Sequence, residues 1–305
     1  MYINKIAYYI PSETCLLKDL YQDTGDQVKK RFNEEQFINF YKKYTLTDHI
    51  CIENKLSRKE LYVQIGKTIL EGNTTRDNIK YIIVADDYLE KFSTIGHYLQ
   101  YVLNMQNANI INISGNYCCN IEASLRVAKS LLKDYEDDSD ILILTGNIAD
   151  NNAIRVVGSY GLLSDGFGGI LASNYNKNNG IKTEDVTIIS DGKFYEMDLF
   201  QDNTKEYYKR YKELITKMLK NNDLSPDDID HVILHNANEI LIKHVIKTMG
   251  IKEDRIFKNP KRNCGHLDTV DLILNLKSLE GEKEKNAISI SIGAAGTYAA
   301  CLFKF

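Results

Sequence analysis

The feature that most restricts the fold is an internal echo. RDNIKYIIVADD (residues 76–87) and PDDIDHVILHNA (residues 226–237) each place turn residues before an apolar run, and each follows a stretch of helical periodicity, near Arg58 to Glu71 and near Tyr207 to Lys220. The correspondence continues downstream. A helix around Gly96 to Leu103, the strand NIINIS, a helix ASLRVAKSLL and a strand DILILTG are answered by a helix EILIKHVIKTMG, the segment RIFKNPKRNCGH, a helix TVDLILNLKSLE and a strand AISISIG. Two copies of a βαβαβ-like unit with nearly continuous apolar strands predict an α/β fold with internal pseudo-symmetry and mostly parallel sheets covered by helices.

Composition narrows the function classes. At 305 residues and 43% hydrophobic, the chain can bury a full core. The net charge of -4 comes from interspersed charges, and DYEDDSD at Asp134 to Asp140 is a short acidic run, so nucleic acid is not the expected partner. The start, MYINKIAYYIPSE, lacks the layout of a signal peptide, and no run reaches the roughly 18 apolar residues of a membrane span; a cytoplasmic protein without membrane contact is expected. The cysteines at 15, 51, 118, 119, 264 and 301 form no CxxC pair, and no His, Cys or carboxylate pair has zinc-site spacing. Neither a metal nor a disulfide framework is expected. The glycines of SDGFGG (residues 164–169) depart from GxGxxG order and predict a tight turn before GILAS.

Two chain corners concentrate chemistry. Cys118 and Cys119 sit between NIINIS and an amphipathic helix. A buried cysteine is ordinarily inert, whereas one at a helix start meets free backbone N–H groups and the positive dipole end, which favour a thiolate. NCGH occupies the equivalent corner of the second copy, so pseudo-twofold packing brings both corners to one site. Such sites lie beyond the carboxyl ends of strands, where His235 also falls. Cys118, His235 and His266 are therefore expected to converge, with Asp271 five residues after His266 placed to orient it. A thiol, two imidazoles and a carboxylate are the inventory of covalent acyl transfer. His49, His97, His231 and His244 have no such support and read as structural.

Several segments together resemble the thiolase superfamily, specifically the 3-oxoacyl-(acyl-carrier-protein) synthase III group. KIAYYIPSE is similar to that group's opening strand, NYCCNIEASLRVA to its nucleophile corner, LLSDGFGGILAS to its FGDGAGA segment, HNANEILIKHVIKTMG to its HQAN segment, and ISIGAAGTYAACLFKF to its closing strand. The resemblance implies a five-layered αβαβα fold of two pseudo-symmetric halves, residues 1–173 with the nucleophile and residues 174–305 with the catalytic histidines. It also implies a homodimer and a ping-pong reaction through an acyl-cysteine. Cys118 matches the nucleophile, with Cys119 the weaker candidate; His235 matches the family histidine, and the backbone N–H groups of Cys118 and Ala294 match its oxyanion hole.

Two departures shift the expected chemistry. Where synthase III enzymes carry Asn in a GN pair, this chain has Gly265-His266, followed by Asp271. That resembles synthase-III-like acyltransferases with a Cys-His-Asp triad. The expected function is thus acyl transfer from a carrier-protein or CoA thioester through Cys118 to an acceptor. Decarboxylative Claisen condensation is the alternative, and a non-catalytic partner subunit a further one. FINFYKKYTLTDHI (residues 37–50) replaces the segment carrying Trp and arginines that grips coenzyme A, which favours a carrier-protein donor. No tightly bound cofactor is implied, since the phosphopantetheine thioester is a substrate.

Overall fold

The computed structural model describes residues 1–72, 76–88, 94–135, 138–177, 179–194, 204–259, 261–294 and 296–305. In the first part of the chain the elements are β1 (Tyr2–Tyr9), β2 (Thr14–Leu16), α1 (Leu17–Asp23), α2 (Asp26–Arg31), α3 (Glu34–Tyr44), β3 (His49–Cys51), α4 (Arg58–Leu70), β4 (Ile79–Ala85), α5 (Ile95–Val102), β5 (Asn109–Ile113), α6 (Asn120–Leu131), β6 (Asp140–Asn147), β7 (Val156–Val157), β8 (Gly161–Leu162) and β9 (Gly166–Ser173). They continue with β10 (Ile181–Ser190), α7 (Thr204–Asn221), β11 (His231–Leu234), α8 (Glu239–Thr248), α9 (Val270–Ser278), β12 (Asn286–Gly293) and β13 (Thr297–Lys304). No helix among the described residues is long and apolar enough to cross a membrane.

Among the described residues, nine strands hydrogen-bond in the order β11-β12-β13-β10-β1-β9-β6-β4-β5. The seam between β10 and β1 is only two residue pairs, Tyr2 with Lys182 and Ile3 with Ile181. Beyond that seam the ladder acts as two sheets facing each other, and alternation along the strands shows what lies on each face. Ile83, Ile141, Ile143 and Ile170 of the first sheet share a core with Ile233, Ala287, Cys301 and Phe303 of the second, through Ile121, Leu125 and Ala128 of α6 and Leu272, Ile273 and Leu276 of α9. Ile82, Val84, Leu142 and Leu144 point the other way, onto Leu61, Ile65 and Ile69 of α4 and Leu99 of α5. Val232, Ile288, Ile290 and Leu302 likewise meet Tyr211, Leu214 and Ile215 of α7 and Ile246 of α8. Helices, sheet, helices, sheet and helices are the five layers of an αβαβα fold. Each fully buried leucine or isoleucine contributes about 1.5–3 kcal/mol through lost contact with water.

Two expectations about the sheets are corrected. They are mixed rather than mostly parallel: β4 pairs parallel with β5 and β6, and β11 with β12, but β9 is antiparallel to β6 and β1, and β13 to β12 and β10. An apolar run reports burial of both faces, not direction, and the tight link from β12 to β13 forces a hairpin. The glycines of SDGFGG do not form a turn; Gly166, Gly168 and Gly169 lie inside β9. There α9 packs directly on the backbone, and a Cβ on Gly168 would fall 2.8 Å from Ile273 Cδ1. Of the expected loops, GNTTRDN and DYEDDSD lie partly outside the described residues.

Candidate active site

The first corner is a turn that separates two adjacent sulfurs. A 3₁₀ turn, Tyr117–Cys119, runs straight into α6. Tyr117 adopts φ 51°, a left-handed conformation that few non-glycine residues take, and this sharpens the bend. Cys119 is fully buried, its sulfur 3.4 Å from the Thr297 carbonyl it donates to. Cys118, 8% exposed, faces the other corner. The end of β12 presses on the same turn: a Cβ on Gly293 would lie 2.0 Å from the Asn116 carbonyl oxygen. Only glycine there leaves room for the Asn116 backbone.

The second corner is held rigidly. Gly265, at φ 84°, turns the chain into His266, whose N–H donates to the Leu162 carbonyl at 2.7 Å and whose carbonyl accepts from Ser164 at 2.8 Å. His266 Nε2 is 3.1 Å from Cys118 Sγ, and Nδ1 is 2.5 Å from Asp271 Oδ2. Asp271, in the first turn of α9, also accepts from the backbone N–H of Asn236 at 2.8 Å and of Leu267 at 3.3 Å. With Nδ1–H directed to Asp271, Nε2 presents its lone pair to the thiol. Burial pulls the His266 pKa down, but the charge and hydrogen bond of Asp271, with Asp268 behind them, outweigh it, and the net shift is upward.

The thiol itself departs from expectation. Burial, then the Asp268 carboxyl, pushes the Cys118 pKa well up, so the helix start does not leave a resting thiolate. The sulfur keeps its proton until a base takes it. Asp268 adopts φ 56°, and one of its oxygens has no partner among the described residues.

His235, just past β11, completes the convergence. Its ring centroid lies 5.2 Å from that of His266, and reactive atoms of Cys118, His235 and His266 fall within 4.8 Å of one another. These are the three residues that the chain echo led one to expect together, although they have no tight spacing along the chain. His235 Nε2 is 2.6 Å from Ser291 Oγ, and Ser291 donates to Glu122. Burial, with His266 alongside, lowers the His235 pKa to about 3. The remaining histidines contact Thr94 (His97), Phe257 (His231) and Tyr208 (His244) or lie in β3 (His49).

Glu122, Ser291, Asp268 and Tyr160, whose ring edges onto His266, were not anticipated. Glu122 did leave a signal: it stands four residues after Cys118 and three before Leu125, which places a carboxylate on the apolar face of a helix. A cleft of about 180 Å³ lined by Asp86, Asp87, Asn120, Asn147 and Asp268 adjoins this site.

Residues 219–305 match the family described as the C-terminal part of 3-oxoacyl-[acyl-carrier-protein] synthase III. The beta-ketoacyl-[acyl-carrier-protein] synthase III of Clostridium perfringens (strain SM101 / Type A) is 24% identical over 273 residues, covering 80% of this chain and 84% of the relative. The chain is thus similar to synthase III proteins, in its C-terminal part by the family model and over most of its length by the relative. The solved fold agrees across its whole length. The 3-oxoacyl-[acyl-carrier-protein] synthase III of Aquifex aeolicus VF5 superposes with a TM-score of 0.82 at 17% identity, covering 100% of this chain and 99% of that one. OleA of Xanthomonas campestris gives 0.82 at 12% identity, covering 100% and 98%. The site itself brings a cysteine from the first corner to a histidine with an aspartate partner in the second.

Proposed function

We propose that this synthase-III-like enzyme transfers an acyl group from a carrier-protein or CoA thioester, through an acyl-cysteine at Cys118, to an acceptor nucleophile. The observation that carries the reading is the unbroken chain from Cys118 Sγ to His266 Nε2 at 3.1 Å and from His266 Nδ1 to Asp271 Oδ2 at 2.5 Å. As the sulfur attacks the thioester carbonyl, its proton passes to His266 Nε2. The donor's C–S bond then breaks, and the leaving thiolate takes that proton. In the second half-reaction the acceptor gives its proton to the same nitrogen, attacks the acyl carbon and releases Cys118, which is reprotonated. Asp271 holds the ring and stabilises the imidazolium. The backbone N–H groups of Cys118 and Ala294 are assigned to the oxyanion formed in each half-reaction.

The neutral, buried His235 favours one second reading, decarboxylative condensation, in which a donor nitrogen holds a malonyl thioester carbonyl as the carbanion develops. The relatives' names point the same way. The complete set of Cys118, His235, His266 and Asp271 argues against a non-catalytic partner subunit. We further propose a homodimer formed through β5, which ends the strand order and exposes an edge that a second copy would cover. Static light scattering at micromolar concentration should give twice the chain mass; a monomer would contradict it.

Intact-mass measurement with a panel of acyl thioesters tests the acyl-cysteine. The wild type and Cys119→Ala should gain the acyl mass and Cys118→Ala should not. Labelling that survives Cys118→Ala and maps to Cys119 would contradict the assignment. Product analysis with and without added nucleophile separates transfer from hydrolysis.

A further inference from the structure

The transfer chemistry makes no use of Glu122, a carboxyl group at 0% exposure in the central layer. Its Oε1 accepts from the hydroxyl of Ser291 on the inward face of β12, and that same hydroxyl lies 2.6 Å from His235 Nε2. His235 Nδ1 is buried and has no partner among the described residues. A serine hydroxyl owns one proton, so it donates to one of these neighbours and accepts from the other. The two hydrogen bonds must therefore run in the same sense.

We propose that Glu122, acting through Ser291, is a positioning residue that decides which ring nitrogen of His235 carries the proton, and so whether His235 offers a substrate a donor or an acceptor. With Glu122 ionised, Ser291 donates to the carboxylate and accepts from His235 Nε2–H, which leaves Nδ1 a bare acceptor. With Glu122 protonated, its O–H donates to Ser291, Ser291 donates to Nε2, and the ring proton sits on Nδ1. The two states differ by one proton. A proton arriving at Nδ1 releases the one on Nε2 to Ser291, whose own proton passes to Glu122, and the ring ends neutral.

The surroundings suit such a relay. Burial with His266 alongside holds the His235 pKa down to about 3, so this imidazole does not retain a second proton near neutrality. Burial raises Glu122 to about 7 despite the Ser291 hydrogen bond. Facing Glu122 are Cys119 from the nucleophile turn, Cys301 from β13 and Asp268 from the approach to α9. Of these Asp268 adds negative potential, and none supplies a positive charge. His266 and Asp271 face His235 from the other side. The inference rests on the proposed use of this site: an Nδ1–H donor suits holding a thioester carbonyl, and a bare Nδ1 suits receiving an acceptor's proton.

Ring-nitrogen NMR of histidine-labelled protein, without substrate, from about pH 5 to about pH 9 tests the relay. The six histidines are sorted by the signals lost in His235→Gln. Wild-type His235 should exchange one neutral tautomer pattern for the other with a midpoint near the Glu122 value of about 7, and Glu122→Gln and Ser291→Ala should each hold a single pattern throughout. A single pattern across the range in the wild type would overturn the proposal, as would passage to imidazolium or an unchanged transition in a folded Glu122→Gln. The wild-type titration decides even where a variant fails to fold. Because no acyl donor is present, failure of the transferase reading leaves the tautomer result intact, and the reverse also holds.

Discussion

Two imidazoles stand 5.2 Å apart, centroid to centroid, in one buried site, and their pKa values move in opposite directions. Both suffer the same penalty for burial. His266 meets a carboxylate directly through Nδ1, and the contact more than offsets that penalty. His235 meets its carboxyl group, Glu122, only through Ser291, and burial prevails. One intervening hydroxyl thus separates an imidazole that can accept charge from one held neutral. The account assigns proton transfer to the first and hydrogen bonding to the second.

The most severe way to break that division is Asp271→Asn. It should favour the wrong tautomer of His266 and slow acyl transfer by about 10⁴-fold, the scale seen when a triad aspartate is so changed. Steady-state kinetics with an added nucleophile reads this. His235→Ala should cost less, about 10²-fold or under, the lower end for a group assisting proton movement. Both variants should still acquire an acyl mass on Cys118, more slowly. If His235→Ala proves the costlier change, the division fails.

A pH profile sharpens it further. His266 must be neutral to accept the thiol proton, and its folded pKa lies above 6.5, so kcat/KM for acylation should rise with pH through that raised value. His235, held near 3, should contribute no limb in the neutral range. A limb that survives Asp271→Asn unshifted would contradict the cause assigned here.

The smallest effect concerns stability. The folded pKa of Glu122, about 7, stands above its unfolded value of 4.5. Its contribution is therefore full below pH 4.5 and is lost as pH rises through about 7. The difference corresponds to about 3 kcal/mol. Glu122→Gln should accordingly raise the free energy of unfolding, read by urea titration, above pH 8 by roughly that amount and change it far less at about pH 5. Equal shifts at both pH values would show that the carboxyl does not ionise in the fold.

Much of this was legible from sequence, for physical reasons. Apolar runs such as YIIVAD and a helical period such as that of Arg58–Leu70 survive in any sequence that buries two sheet faces, so elements and layers could be placed. Cys118, His266 and Asp271 were legible because the chain echo and the family resemblance put both corners on one site. Strand direction was not, because a strand buried on both faces reads the same in either direction. Neither was the glycine stretch of β9, whose small residues admit α9 rather than make a turn. Ser291 was hidden in AISISIG, where alternation explains it as an inward strand position, and its link to Glu122 spans 169 residues of chain. The upward shift of Cys118 was missed because a helix start says nothing of how deeply the thiol is buried.

The most direct test of the division between the two histidines is a parallel assay of acyl transfer and of carbon dioxide release from a malonyl thioester, for the wild type, Asp271→Asn and His235→Ala. The account predicts that transfer is the reaction the wild type performs, that it collapses in Asp271→Asn, and that it largely persists in His235→Ala. Wild-type release of carbon dioxide that requires His235 and tolerates Asp271→Asn would contradict it.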